Sequence, residues 1–133
     1  MSGGSTDLES ANSDFYDCFE AGDLDAMAGL WHHGDEVFCV HPGSEIIVGW
    51  GPVRRSWAVI FAAAEHLQFI VTDVRAWRHG DTGTVTCTEN ILSAASAGGD
   101  LGAGKAVATN LFARRGGRWL LVAHHASPVL RRL

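Results

Sequence analysis

Apolar residues recur at three- to four-residue spacing from Leu8 through Ala11, Phe15, Cys18 and Phe19, and the run stops at Gly22. That period places one apolar stripe along an α-helix, and Thr6 with Glu9 three positions later is a capping-box pattern that would start it. Asp23 is placed to cap a second, shorter helix carrying Leu24, Met27, Ala28 and Trp31 on one face and ending at Gly34. Glu36 to His41 alternates as a strand. A loop with Gly43, Gly49 and Gly51 then leads to Pro52, where a first-turn proline is tolerated. The third helix that follows has a wide apolar stripe of Val53, Trp57, Ile60, Phe61 and Ala64.

After Glu65 the period changes from that of a helix to that of a strand. His66–Arg78, Thr82–Ala95, Lys105–Arg115 and Arg118–Ser127 each alternate, with tight turns at His79-Gly80-Asp81 and Gly116-Gly117 and a looser connection from Ala97 to Gly104. The order α-α-β-α-β-β-β-β, helices first and strands afterwards, predicts an α+β fold with helices on one face of a curled antiparallel sheet. The whole chain, 1–133, reads as a single domain, with residues 1–6 expected to be disordered ahead of the first packed turn.

Composition agrees with one ordinary core: 133 residues, 47% hydrophobic and 19% charged. The net charge of -5 is modest and no long block of either sign occurs, so there is no electrostatic footprint for nucleic acid or an anionic membrane. The first ten residues lack the apolar region of a secretory signal, and no segment reaches the roughly 18 continuous apolar residues of a spanning helix. A soluble, cytoplasmic location is therefore expected. Cys18, Cys39 and Cys87 are odd in number and widely spaced, which points to small buried hydrophobes rather than disulfides or a zinc site.

Chemistry is suggested first by Val40-His41-Pro42-Gly43-Ser44-Glu45, which sets an imidazole where a strand opens into a loop. Its ordinary pKa of about 6.5 suits proton transfer near neutral pH. Other motifs carry less. Gly99 to Lys105 resembles a phosphate-binding loop, but Ala106 stands where Ser or Thr would meet magnesium and a strand follows instead of a helix. Trp31-His32-His33 and His124-His125 lack metal-ligand spacing, so no metal and no cofactor is assigned. No nucleophile elbow or Cys-His pair suggests acyl transfer.

The segments Phe19–Trp31, His41–Glu45 and Ala113–Pro128 resemble the nuclear transport factor 2-like superfamily, which holds the SnoaL-like polyketide cyclases, the ketosteroid isomerases and the association domain of calcium/calmodulin-dependent kinase. The resemblance spans Asp7 to Pro128. It implies a cystatin-like, cone-shaped curved sheet packed against three N-terminal helices, with a pocket between them. It also implies a homodimer packed through the sheet. Leu111 and Trp119 are apolar residues that a monomer's outer sheet face would expose.

By that resemblance His41 occupies the position of the isomerases' general base, and Asn110 that of an acidic hydrogen-bond donor in their oxyanion hole. Their helix-one tyrosine matches Phe15, with Tyr16 one position later and about 100° round the helix. A phenyl ring cannot donate, and a lost oxyanion donor costs about 100-fold to 1000-fold in rate, so efficient steroid isomerisation is not expected. Glu89 matches a pocket-lining position of the kinase association domain. If buried it needs a partner, and His41 or His124 is the obvious choice. His124 and His125 must face opposite ways. A strict two-residue Gly116-Gly117 turn would put His125 on the face of Asn110, a three-residue turn with a bulge would put His124 there, and the resemblance favours His124.

The expectation is thus a pocket lined by Phe15, Tyr16, Trp31, Trp57, Phe61 and Phe112 and set with His41, Glu89, Asn110 and His124 as candidate catalytic residues. Its ligand would be a hydrophobic small molecule. Two functions suit it: an isomerase, cyclase or dehydratase acting on a hydrophobic carbonyl compound by general acid/base catalysis, or a non-catalytic ligand-binding or dimerisation module.

Overall fold

The computed structural model describes residues 5–63, 67–93 and 104–130. It contains three helices, α1 (Ser5–Ala21), α2 (Leu24–Ala28) and α3 (Trp50–Ala63), and six strands, β1 (Phe38–Val40), β2 (Ile47–Val48), β3 (Leu67–His79), β4 (Thr82–Ser93), β5 (Gly104–Arg115) and β6 (Arg118–Pro128). They form one sheet in the order β2-β1-β6-β5-β4-β3. The α+β class follows from the sequence pattern, and the helices pack over one face of the sheet, α1 chiefly across β3.

Several boundaries differ from the sequence expectation for physical reasons. Helix α1 begins at Ser5, so Thr6 lies inside it, and of the stretch 1–6 expected to be disordered residues 1–4 fall outside the described residues. Helix α2 ends at a Gly29 cap rather than at Gly34, because the backbone after it turns to β6. His32 N–H donates to Leu121 C=O, and Leu121 N–H donates to Leu30 C=O. Strand β1 is shorter than Glu36–His41. The two-residue β2 pairs with it, Phe38 opposite Val48. The stretch 94–103, which holds most of the expected loose connection and the phosphate-loop lookalike, falls outside the described residues.

The sheet is antiparallel except where β1 runs parallel to β6, with Cys39 opposite His124. The four long strands β3–β6 are antiparallel as expected, and the parallel pairing beside them carries His41 to the neighbourhood of the last strand. Gly116 and Gly117 both have positive φ, 57° and 78°, as a tight two-residue hairpin turn requires. Leu111 lies opposite Ala123 but Phe112 lies opposite Leu121, so Val122 is an extra residue and the register shifts by one. A second bulge sits in β3 between Thr72 and Arg75, where Asp73 holds a φ of 55°.

Leu8, Phe15 and Tyr16 on α1, Val53 and Trp57 on α3, and Val85, Cys87, Phe112 and Leu121 on the sheet are buried together. The ring centroids of Phe15 and Trp57 are 5.6 Å apart, and those of Phe19 and Trp57 4.9 Å. Each such large apolar side chain contributes about 1.5–3 kcal/mol on burial, which makes this aromatic layer the main glue between helices and sheet. Cys39 and Cys87 are buried and Cys18 is half-buried, all three as free thiols.

Candidate functional site

Alternation along β4 turns Val85, Cys87 and Glu89 toward the helices, and Asn110 on β5 lies opposite Val85 on one side and His124 on the other. The bulge at Val122 decides the question left open between the two histidines. The turn itself has two residues, yet the extra residue lower in β6 flips the face, so His124 joins Asn110 and His125 points outward. His125 instead borders a groove on the opposite sheet face with Phe38, Val107 and Leu111. Trp119 is not on that outer face. It shares the helix-side face with Leu121 and packs against the core, flanked by Arg78 and Arg114 at 5.4 and 5.5 Å from its ring.

A hydrogen-bonded chain runs through the interior. His124 Nδ1 is 2.6 Å from Asn110 Oδ1. Because an amide oxygen only accepts, Nδ1 carries the proton and Nε2 keeps its lone pair. Asn110 Nδ2 donates to Asn12 Oδ1 at 2.8 Å and to the Tyr16 hydroxyl at 3.4 Å. The Tyr16 hydroxyl in turn donates to Glu89 Oε2 at 2.6 Å. Asn12, Glu89, Asn110 and His124 are each at most 2% exposed, and Tyr16 4%. Glu89 thus has Tyr16 as its partner, and not His41 or His124 as expected, while the partner of His124 is Asn110.

His41 lies just past β1 and is half-buried. Its Nε2 is 2.9 Å from Ser56 Oγ, whose own hydrogen is spent on Val53 C=O at 2.7 Å. His41 is therefore the donor in that bond, and its Nδ1 keeps a lone pair. Its ring meets Trp57 edge-on at 4.8 Å and lies 6.3 Å from the ring of His124.

Burial dominates the titration of all these groups. It lowers His41 to about 4 and His124 to about 3, the latter also through the nearby imidazoles of His41 and His125. Burial raises the carboxyl of Glu89, an effect opposed by the hydrogen bond from Tyr16. The Tyr16 hydroxyl is pushed far above its ordinary range by burial and then by the charge of Glu89, so it stays protonated.

A cavity of about 430 Å³ opens between α1 and β3. Its helical wall is Glu9, Asn12, Ser13, Tyr16, Asp17 and Glu20, and its strand wall is Phe69, Val71 and Val74. The β3 bulge re-aims Val74 onto the side of Phe69 and Val71. Of the residues expected to line a pocket, only Tyr16 borders this one. Phe15, Trp31, Trp57 and Phe112 are buried, Phe61 is half-buried, and Trp57 packs on Phe15, Trp31 and Phe61. Tyr16, not Phe15, is also the helix-one residue beside Asn110, which corrects the expected loss of a tyrosine donor. Asn12 was missed altogether. It stands in the apolar stripe, four residues after Leu8 and four before Tyr16, and a polar residue at that spacing is a readable signal of a buried hydrogen bond.

Comparison with known proteins gives four relevant likenesses. A SnoaL-like domain profile matches residues 8–131. The F-box protein SKIP8 of Arabidopsis thaliana is 31% identical over 121 residues, 91% of this chain and 49% of that protein. The chain therefore spans about half the length of the curated relative it matches. Among solved structures, a proposed dehydratase of the NTF2-like family from Streptomyces avermitilis is 44% identical, with a TM-score of 0.87 and 96% of each chain covered. A proposed calcium/calmodulin-dependent protein kinase type II association domain from Thiobacillus denitrificans is 32% identical, with a TM-score of 0.80, covering 91% of this chain and 94% of that one.

Proposed function

The chain belongs to the SnoaL-like domain family, and we propose that it is a small-molecule-binding member whose ligand occupies the α1–β3 cavity and meets acid/base chemistry of the isomerase, cyclase or dehydratase type there. The observation that carries this reading is the 2.6 Å bond between Tyr16 and a buried carboxyl at the wall of a 430 Å³ cavity, a size suited to small organic ligands. Glu89 sets the direction of the tyrosine proton. Ionised, it draws the Tyr16 hydrogen inward. Protonated, it donates to the Tyr16 oxygen and frees the hydroxyl hydrogen for a ligand oxygen, as departure of a hydroxyl or enolisation of a carbonyl requires. Asn110 donates to that hydroxyl and is itself held by His124, whereas His41, whose Nδ1 faces the Cys39 sulfur at 3.9 Å, stands at the other end of the chain of bonds and does not border the cavity.

The 44% identity to a proposed dehydratase supports this direction. The test is dehydration of apolar β-hydroxyketones, followed by the absorbance of the enone. Tyr16→Phe is expected to lower turnover by about 100-fold to 1000-fold. Turnover unchanged in that variant removes Tyr16 from the chemistry, and binding of such compounds away from α1 and β3 removes the cavity.

A second reading, assembly through the outer sheet face, is favoured by the groove of about 310 Å³ that Phe38, Val107, Leu111 and His125 border and by the 46% exposure of Val107. The partner proposed is a second copy of the chain. Sedimentation is expected to give a dimer that Val107→Glu splits, and a 14.2 kDa monomer at micromolar concentration rules it out.

A further inference from the structure

The two walls of the α1–β3 cavity differ in kind. The strand wall is apolar, whereas the helical wall carries three carboxylates, Glu9, Asp17 and Glu20, and none of the lining residues is basic. Helix α1 as a whole has no Lys or Arg to offset them. A cavity lined by one sign of charge focuses the field on its contents, so it disfavours an anion and favours a cation. Glu20 is fixed in place because its Oε2 accepts the Phe69 N–H at 2.6 Å, which ties the two walls together.

A second observation, independent of charge, concerns the polar group deepest in that wall. Asn12 is 2% exposed and lines the cavity. Its amide cannot be turned over: Asn110 uses its own oxygen for His124, so its nitrogen must meet an oxygen, and that oxygen is Asn12 Oδ1. The Asn12 nitrogen is then left with the Cys87 sulfur at 3.9 Å, a weak acceptor for a group with two hydrogens to place. A buried donor so poorly matched calls for an acceptor oxygen brought by something else.

Resting on the reading that this cavity is the ligand site, we infer that it takes a molecule with an acceptor oxygen at its inner end, received by Asn12, and a protonated amine toward the carboxylates of α1, with its apolar body laid on Phe69, Val71 and Val74. The chemical class is a small amino alcohol or amino ketone with an apolar body.

Phenylethanolamine, phenethylamine, benzyl alcohol and mandelate separate the parts of this statement, with binding followed by calorimetry and by amide shifts of α1 and β3 in the full chain. Phenylethanolamine is expected to bind in the cavity, phenethylamine about tenfold more weakly for want of the oxygen, and mandelate not measurably. Asn12→Ala abolishes the difference between the two amines. Asp17→Asn, an exposed change that leaves folding intact, weakens both by a few-fold, and added salt does the same because rim charges are screened. Benzyl alcohol or mandelate binding in the cavity as tightly as the amines, or indifference of the amines to Asp17→Asn, overturns the inference while leaving the cavity as a ligand site. Failure of all four probes to shift α1 and β3 overturns the inference and removes the proposed site with it.

Discussion

The two ends of the helix-side sheet face respond to burial in opposite directions. At the Glu89–Tyr16 end, removal from water raises a carboxyl, so it keeps its proton to a higher pH than a solvated carboxyl does. At the His41–His124 end the same removal lowers two imidazoles to about 4 and about 3, so groups that are ordinarily half-protonated near neutrality become fixed as neutral rings, each donating through one nitrogen. The cause is common: neither end has a counter-charge, and a medium that solvates ions poorly favours the neutral form of each. Among the described residues the salt bridge found is His32–Glu36, near the surface, at 3.6 Å. The interior therefore works through hydrogen bonds rather than ion pairs, with donors and acceptors fixed by the amides of Asn110 and Asn12.

Breaking the link between the two ends has the largest expected effect. Asn110 is fully buried and serves His124, Asn12 and Tyr16 at once. Asn110→Ala leaves the His124 Nδ1–H and the Asn12 oxygen without protein partners, and each orphaned buried group costs about 1–3 kcal/mol. Urea unfolding is expected to show a loss of about 2–6 kcal/mol. A loss below about 1 kcal/mol would mean that the chain of bonds is dispensable to the fold.

The opposed shifts predict opposed pH dependences, the next largest effect. For the histidines the folded values lie below the ordinary 6.5, so the unfolded chain binds more protons in that window. Their contribution to stability is complete above pH 6.5 and is lost as pH falls toward about 4 and then about 3. For Glu89 the folded value lies above the ordinary 4.5, so its contribution is complete below pH 4.5 and is lost as pH rises through the folded value. Each proton changes stability by at most about 1.4 kcal/mol per pH unit. His124→Gln, which keeps a donor for Asn110 but does not titrate, should flatten the acid limb. Glu89→Gln should gain on the parent as pH rises past 4.5. The same pH slope in parent and variants would show that burial does not control these groups.

How much of this was legible in the sequence depends on the length over which a signal repeats. The change of period after Glu65 runs through four long strands, and with the Asp23 cap and Pro52 it is enough to give the class and the order of every element but β2. Strand β2 has two residues, Ile47 and Val48, too few to show alternation. The bulge that chooses His124 over His125 lies in Leu120-Leu121-Val122-Ala123, a uniformly apolar run in which no residue marks itself as extra. Phe15 and Tyr16 both belong to the buried stripe of α1, and counting from Gly22 could not show which of the two turns its polar end to Asn110. Asn12 was readable, as a polar residue inside an apolar stripe. The cavity was not, because its shape depends on the β3 bulge at Asp73 and on aromatic rings that fill the space where a pocket was expected.

The smallest expected effect is the sharpest check on whether the two ends are separate. His41 hydrogen-bonds to Ser56 and packs against Trp57, and its low pKa has burial as its cause, with no contribution from Glu89. If Glu89 stood close enough to stabilise an imidazolium, its removal would lower His41 further; a carboxylate within about 4–6 Å shifts a neighbour by roughly 1–3 units. In the structure the carboxyl is turned to Tyr16, on the other side of Asn110 and His124. NMR titration of the His41 ring should therefore give the same midpoint, near 4, in the parent and in Glu89→Gln. Ser56→Ala should move that midpoint more than Glu89→Gln does, because it removes the acceptor of the Nε2 proton. A clear drop in Glu89→Gln alone would place the two residues in one acid/base pair and remove the division of the sheet face into two independent ends.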